Sequence, residues 1–229
     1  MKTAIYTAIF NDYDDLKDPE FVSDRCDYFC FTDNEAFSSE IWNIKVRKRC
    51  FKDATLDARM YKHLPHTFLS EYDVTIWVDG CFSIIGDISQ GIEMFLQDSD
   101  MALYKHTSKN IFDEARLCKI LQKESPEKID AQIDYYKKEP GIENIKICQT
   151  PFLWRKNNEK IAKFSEFWWK EIKERACRDQ ISLPFALMNN KLKCNVIKAR
   201  NEYPYSCEWC RFYHHKIRRK VEQYEISRR

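Results

Sequence analysis

The chain has 229 residues, 44% of them hydrophobic and 14% aromatic, a composition that excludes a disordered segment and suits a folded α/β unit with a sizeable core. Its 38 basic and 36 acidic residues nearly cancel, and no interleaved basic and aromatic surface marks the core, so no nucleic acid is expected as a partner. With four glycines the chain has neither a P-loop nor a Gly-x-Gly-x-x-Gly fingerprint.

In chain order, Thr3 to Phe10 is β-branched and aromatic and runs into the acidic turn Asn11-Asp12-Tyr13-Asp14, which predicts an N-terminal strand. Asp27 to Thr32 predicts a second strand, stopped by Asp33 and Asn34, and Ile41 to Val46 a third. Residues 52 to 69 carry Leu56, Met60 and Leu64 on one stripe and read as helix. Val74 to Val78 is the clearest strand, because continuous apolarity suits a central strand covered on both faces. It is halted by Asp79-Gly80. A short return at Phe82 to Ile85, a helix near Ile88 to Leu96 and a strand at Met101 to Tyr104 follow.

Helices are then predicted at Ile111 to Lys123 and Pro126 to Lys138, the second opened by Ser125 as N-cap with proline at the first helical position. Ile145 to Cys148 and Phe152 to Arg155 read as two strands. Glu159 to Arg175 reads as a long amphipathic helix carrying Trp168 and Trp169, one of which is expected in the core, and another helix starts around Asp179. Strands alternating with helices predict a layered α/β fold. No linker or repeat interrupts it, so one domain is expected over residues 1–229.

Ten cysteines are scattered along the chain. The N-terminus lacks a small-residue cleavage site and no apolar run approaches a membrane span. Most cysteines are therefore expected to be reduced and buried in a cytoplasmic protein. The pair Cys207-x-x-Cys210 with His214 and His215 has zinc-like character, but no second Cys-x-x-Cys stands at knuckle spacing. The stretch from Arg211 to Arg229 is basic. It reads as a solvated terminal helix or as a peripheral contact with anionic lipid.

Four constellations can carry chemistry. Asp79 follows a strand end, where α/β sheets bind ligands. It is either a turn aspartate or a carboxylate that holds a divalent metal against a diphosphate. Arg59 and Lys62 share a helix face and form either a solvated surface or a clamp for phosphate oxygens. His106, with Lys105, Lys109, Asp113 and Glu114, lies between a strand end and a helix start. Asp179 in Arg178-Asp179-Gln180 either caps the next helix or faces the cleft as a general base.

Taken in order, these pieces resemble the "domain of unknown function 616" family of glycosyltransferase-like proteins. The matching residues are Ala8-Ile-Phe-Asn-Asp-Tyr-Asp14, Cys30-Phe-Thr-Asp33, Arg59-x-x-Lys62-x-x-Pro65-His66, Ile76-Trp-Val-Asp79-Gly80, His106 with Asp113-Glu114-Ala115, Trp168-Trp169 with Glu171, and Arg178-Asp-Gln-Ile-Ser182. They span roughly residues 4 to 190. The resemblance implies a GT-A-like, Rossmann-like fold with a mixed central sheet flanked by helices. It implies a nucleotide-sugar donor carrying UDP or GDP and a glycan or glycoconjugate acceptor, with a donor-binding half to about residue 110 and an acceptor half from 111.

On that resemblance Phe10, Asn11, Asp12, Tyr13, Thr32 and Asp33 cradle the base and ribose, and Arg59, Lys62, Trp77, Val78, Asp79 and Gly80 complete the donor site. Asp179 is the catalytic candidate, and His106 and Gln180 are candidates for the acceptor side. The Asp-x-Asp metal motif projects onto Asp79, but its third position here is Cys81. A divalent ion, Mn2+ or Mg2+, would then take Asp79 and a C-terminal histidine, His214 or His215. Two rival readings stand beside glycosyl transfer: a metal-dependent hydrolase of a lipid or glycoconjugate, and a non-catalytic nucleic-acid-binding module.

Overall fold

The computed structural model describes residues 1–198 and 206–216, the side chains of Ser206 and Cys207 excepted. Its strands are β1 (Thr3–Ile9), β2 (Cys26–Thr32), β3 (Asn43–Val46), β4 (Val74–Val78), β5 (Phe82–Ile84), β6 (Met101–Lys105), β7 (Cys148–Lys156), β8 (Cys194–Ile197), β9 (Ser206–Cys207) and β10 (Cys210–Phe212). Seven of them form one sheet in the order β3-β2-β1-β4-β7-β6-β8, and β5-β10-β9 form a second, small sheet. In the large sheet only β7 runs against its neighbours. The carboxyl ends of β1, β2, β4 and β6 therefore share one edge with the start of β7.

Helices cover both faces. They are α1 (Ala54–His63), α2 (Pro65–Phe68), α3 (Gln90–Phe95), α4 (Ile111–Ile120), α5 (Pro126–Tyr136), α6 (Glu159–Glu174) and α7 (Asp179–Asn190). This mixed sheet flanked by helices is the α/β architecture that the sequence predicts. Alternation along the strands splits the core. Ala4, Tyr6, Ala8 and Trp77 face α1, α6 and α7, whereas Ile5, Val74, Ile76 and Val78 face the layer of β5, α3 and Trp209. Gly91 lets α3 approach the sheet closely, since a Cβ there would lie 2.4 Å from Trp154 Nε1.

Two expectations change. The segments 145–148 and 152–155 are not two strands; β7 runs unbroken from Cys148 to Lys156. Pro151 suggests a break, but it falls where the pairing with β6 shifts register between Ala102 and Tyr104, and a strand tolerates a proline at such an irregularity. The expected helix at 52–69 is two, α1 and α2, parted at Leu64 with Pro65 opening the second. Trp168 is fully buried and donates to Ser182 Oγ, so it is the core member of its pair. Among the described residues Cys26, Cys30, Cys50, Cys81, Cys118, Cys148, Cys177 and Cys194 are free thiols. Among the described residues no helix is long and apolar enough to cross a membrane. Most of the basic C-terminal stretch, from residue 217 onward, lies outside the described residues.

Candidate functional site

Two turns shape the carboxyl edge of the sheet. After β1, Asn11 and Asp12 both take positive φ, 56° and 49°, the left-handed conformation that asparagine and aspartate adopt more readily than other non-glycine residues. Groups from the end of β2 hold it. Asp33 Oδ1 accepts from Asn11 N at 2.8 Å, and Asn34 Nδ2 donates to Asp12 Oδ1 at 2.6 Å. Thr32 is buried and turns its hydroxyl to Asn34 N. Phe10 is core, stacked on Tyr61, so only its backbone faces the turn. The Tyr13 ring lies 4.7 Å from that of His215.

The second turn follows β4. Asp79 N donates to Pro151 O and Phe82 N to Asp79 O, which fixes the Asp79 backbone. A Cβ on Gly80 would lie 2.7 Å from Ile9 Cγ1 and 3.3 Å from Asp14 Oδ2. Glycine is therefore required for β1 and β4 to bring their ends together here. Trp77 and Val78 are buried. Trp77 reaches the site through its indole, whose Nε1 donates to Asp79 Oδ1 at 2.6 Å.

Behind this turn lies a buried ionic network. Lys62 Nζ is 3.1 Å from Asp79 Oδ1, 2.8 Å from Asp179 Oδ2 and 3.3 Å from Thr150 Oγ1. Thr150 Oγ1 in turn donates to Asp179 Oδ2 at 3.1 Å. Arg59 Nε lies 2.7 Å from Asp179 Oδ1, close but not aligned as a hydrogen bond. Its guanidinium also bonds Cys177 O. Asp179 thus starts α7 without capping it, and no side chain caps that helix. Burial alone would raise its carboxyl, but Arg59 and Lys62 outweigh that and hold it well below the usual carboxylate range.

The two aspartates differ in one decisive respect: the Asp79 side chain is 35% exposed and that of Asp179 3%. Arg59 and Lys62 are not a solvated face; both are drawn into the protein by these carboxylates.

The network has members that no motif marked. Arg155 is fully buried on β7 and donates to Tyr6 Oη and Lys62 O, while its Nε and other terminal nitrogen have no hydrogen-bond partner. Burial lowers its pKa. His63 packs on Trp168 with neither ring nitrogen hydrogen-bonded, Nε2 lying 3.7 Å from Asp179 Oδ1. Burial first, opposed by Asp179 and reinforced by Lys62, Arg155 and Arg59, keeps it neutral with a pKa well below 6.5. An arginine directly after the apolar run Phe152-Leu-Trp154 is the one sequence signal that pointed this way.

His106 follows the carboxyl end of β6 on the same edge, and Gln180 follows Asp179. Ser108 N donates to His106 Nδ1 at 2.9 Å, which leaves the ring proton on Nε2, 3.6 Å from Glu114 Oε2. Glu114 is buried and accepts from Ser108 Oγ at 2.8 Å. Burial lowers the His106 pKa. Gln180 is half-buried in the first turn of α7.

The C-terminal segment returns to this edge beside Cys81 and Asp14. Tyr213 N donates to Cys81 O at 2.8 Å, and His215 Nδ1 lies 2.8 Å from Asp14 Oδ1. His214 is exposed beside Phe212. Arg211 and Lys216 pair with Glu20 and Asp15 of this chain. Cys81 is buried; burial first, then Asp79 and Asp14, push its thiol well above the ordinary value. Among the described residues no three His, Cys, Asp or Glu side chains converge as a metal-binding group. The side chain of Cys207, needed for a zinc pair with Cys210, lies outside them.

A groove of about 760 Å³ lined by Val22, Arg25, Gln90 and Met94 opens elsewhere, beside the amino end of β2. It holds none of this chemistry.

The family model for the TOD1/MUCI70 glycosyltransferase-like domain matches residues 1–216. The chain is also 24% identical over 218 residues to a probable hexosyltransferase, MUCI70, of Arabidopsis thaliana. That match covers 82% of this chain and 37% of the plant protein.

Proposed function

The chain belongs to the TOD1/MUCI70 glycosyltransferase-like domain family, and on that premise we propose that it moves a hexosyl group from a nucleotide-diphosphate sugar to a hydroxyl of a glycan or glycoconjugate. One observation carries the reading. Arg59, Lys62, Asp79 and Asp179, from three distant segments, are joined through the ion pairs Arg59–Asp179, Lys62–Asp179 and Lys62–Asp79 at the carboxyl edge of the sheet, where α/β folds bind ligands.

The turn Asn11-Asp12-Tyr13 with Asp33 offers polar groups for the base and ribose. The half-exposed Asp79 carboxylate, above a glycine that cannot carry a side chain, faces the sugar-diphosphate. The acceptor approaches from the side of His106 and Gln180. Its oxygen bonds to the anomeric carbon as the bond from that carbon to the phosphate oxygen breaks. The diphosphate leaves with the electron pair, and the hydroxyl proton passes to solvent. Asp179 is a positioning residue. A buried carboxylate committed to two cations is a poor proton acceptor, but it sets where Lys62 and Arg59 stand.

The test is release of nucleoside diphosphate from a panel of UDP- and GDP-sugars with glycan acceptors. A productive pair is expected, with release lowered about 100-fold or more in Asp79→Ala. Product formed from a glycoconjugate without any nucleotide sugar would overturn the reading in favour of a hydrolase.

A further inference from the structure

The donor's diphosphate carries negative charge that the site must meet, and the buried charges around His63 are unbalanced in the direction that does so. Arg59, Lys62 and Arg155 supply three cations, whereas Asp79 and Asp179 supply two carboxylates. His63, within reach of all but Asp79, stays neutral. Among the described residues no carboxylate pairs with Arg155, and two of its nitrogens have no hydrogen-bond partner although it is fully buried. An unpaired buried charge is costly, and an arriving anion relieves that cost where an arriving cation would add to it.

The donor atoms point the same way. Asp79 Oδ1 already accepts from Trp77 Nε1 and Lys62 Nζ. The position two residues on is a buried cysteine, and His215 is paired with Asp14. This is a poor set for Mn2+ or Mg2+, which favour several free oxygen ligands.

Resting on the reading above, we propose that the site binds the nucleoside diphosphate without a divalent cation, with Lys62 and Arg59 in the metal's place and Arg155 reinforcing them. Lys62 has three oxygen contacts, and the one to Asp79 faces solvent. It is the contact that a phosphoryl oxygen exchanges with, which turns the Asp79 carboxylate toward the donor sugar. The other two contacts, on Asp179 and Thr150, hold the ammonium in place while this happens.

Isothermal titration of UDP and GDP into the full chain, in EDTA and in Mn2+, tests this with three proteins: the native chain, Lys62→Gln and Asp79→Asn. The native affinity is expected to change less than about twofold between the two buffers. Lys62→Gln is expected to weaken it about tenfold or more in both, the loss of a charge-assisted contact. Asp79→Asn, which removes a carboxylate at a half-exposed position and leaves the fold intact, is expected to bind as tightly as the native chain or about threefold tighter.

Binding that requires Mn2+ and disappears in Asp79→Asn would overturn the inference and leave the donor reading standing. A folded Lys62→Gln protein with unchanged affinity would overturn it too. Failure of either nucleotide to bind in either buffer would overturn both.

Discussion

Asp79 and Asp179 flank the same lysine, and they differ in what surrounds them. Asp79 stands at the end of a strand with a third of its side chain in solvent, held by an indole N–H and one ammonium. Asp179 stands at the start of a helix, all but sealed from solvent, and holds two cations that are themselves buried. The first geometry suits a group that changes partners when a ligand arrives. The second suits one that must not change. Two carboxylates of the same type, 100 positions apart in the chain, thus divide the work of one site between presenting and anchoring.

The sharpest way to break this comparison is to remove each in turn. Asp179→Ala leaves Arg59 and Lys62 buried without their shared partner, and a loss of about 3–5 kcal/mol is expected from denaturant unfolding. Asp79→Ala is expected to cost about 1 kcal/mol or less, because its pair with Lys62 is partly solvent-screened and Lys62 keeps Asp179. Equal costs would mean that both carboxylates are structural.

Acidification separates the anchoring region by pH. His63 has a pKa depressed in the folded state, so as pH falls below 6.5 the unfolded chain takes a proton that the native one refuses. Stability present above 6.5 is therefore lost on acidification, by up to about 1.4 kcal/mol per pH unit from this residue. His63→Phe, which keeps a ring against Trp168, is expected to remove the His63 share of that slope in urea midpoints measured between pH 6.5 and 5, leaving the shares of His66 and His106, whose pKa values burial also lowers. Asp179 is also depressed. Its contribution is complete above 3.8 and is lost only below that, so it does not confuse the window.

A smaller effect than that of Asp179 is expected at Thr150, whose hydroxyl bridges Lys62 and Asp179. Thr150→Val keeps the shape and removes the bridge, and a loss of about 1 kcal/mol is expected in the unfolding midpoint. A neutral result would show that the two ion pairs alone fix the lysine.

Much of the scaffold was legible because it rests on local pattern. β4 was read to the residue from its continuous β-branched run, and α5 opens where Ser125 and Pro126 place it. β8 and β10 were missed for a physical reason. The first is a half-buried edge strand, and the second is held by pairing with β5 and not by any pattern of its own. The order of the motifs also led to the family.

The site was legible in part. Asp79, Arg59, Lys62 and Asp179 were singled out, but whether the basic pair was solvated or buried stayed open, because spacing along a helix gives a shared face and not what that face meets. Arg155, His63 and Thr150 belong to no motif, and each joins the site only through contacts with distant segments.

The amino-acid sequence alone determined the alternation of strands and helices and the position of a carboxylate and a glycine at the end of the central strand. These follow from side-chain period, turn chemistry and the backbone preferences of neighbouring residues. Only the tertiary structure decided which aspartate is exposed, which cations it meets and that one buried arginine remains unpaired. Charge interactions depend on distance and burial, and both are properties of segments brought together across the chain.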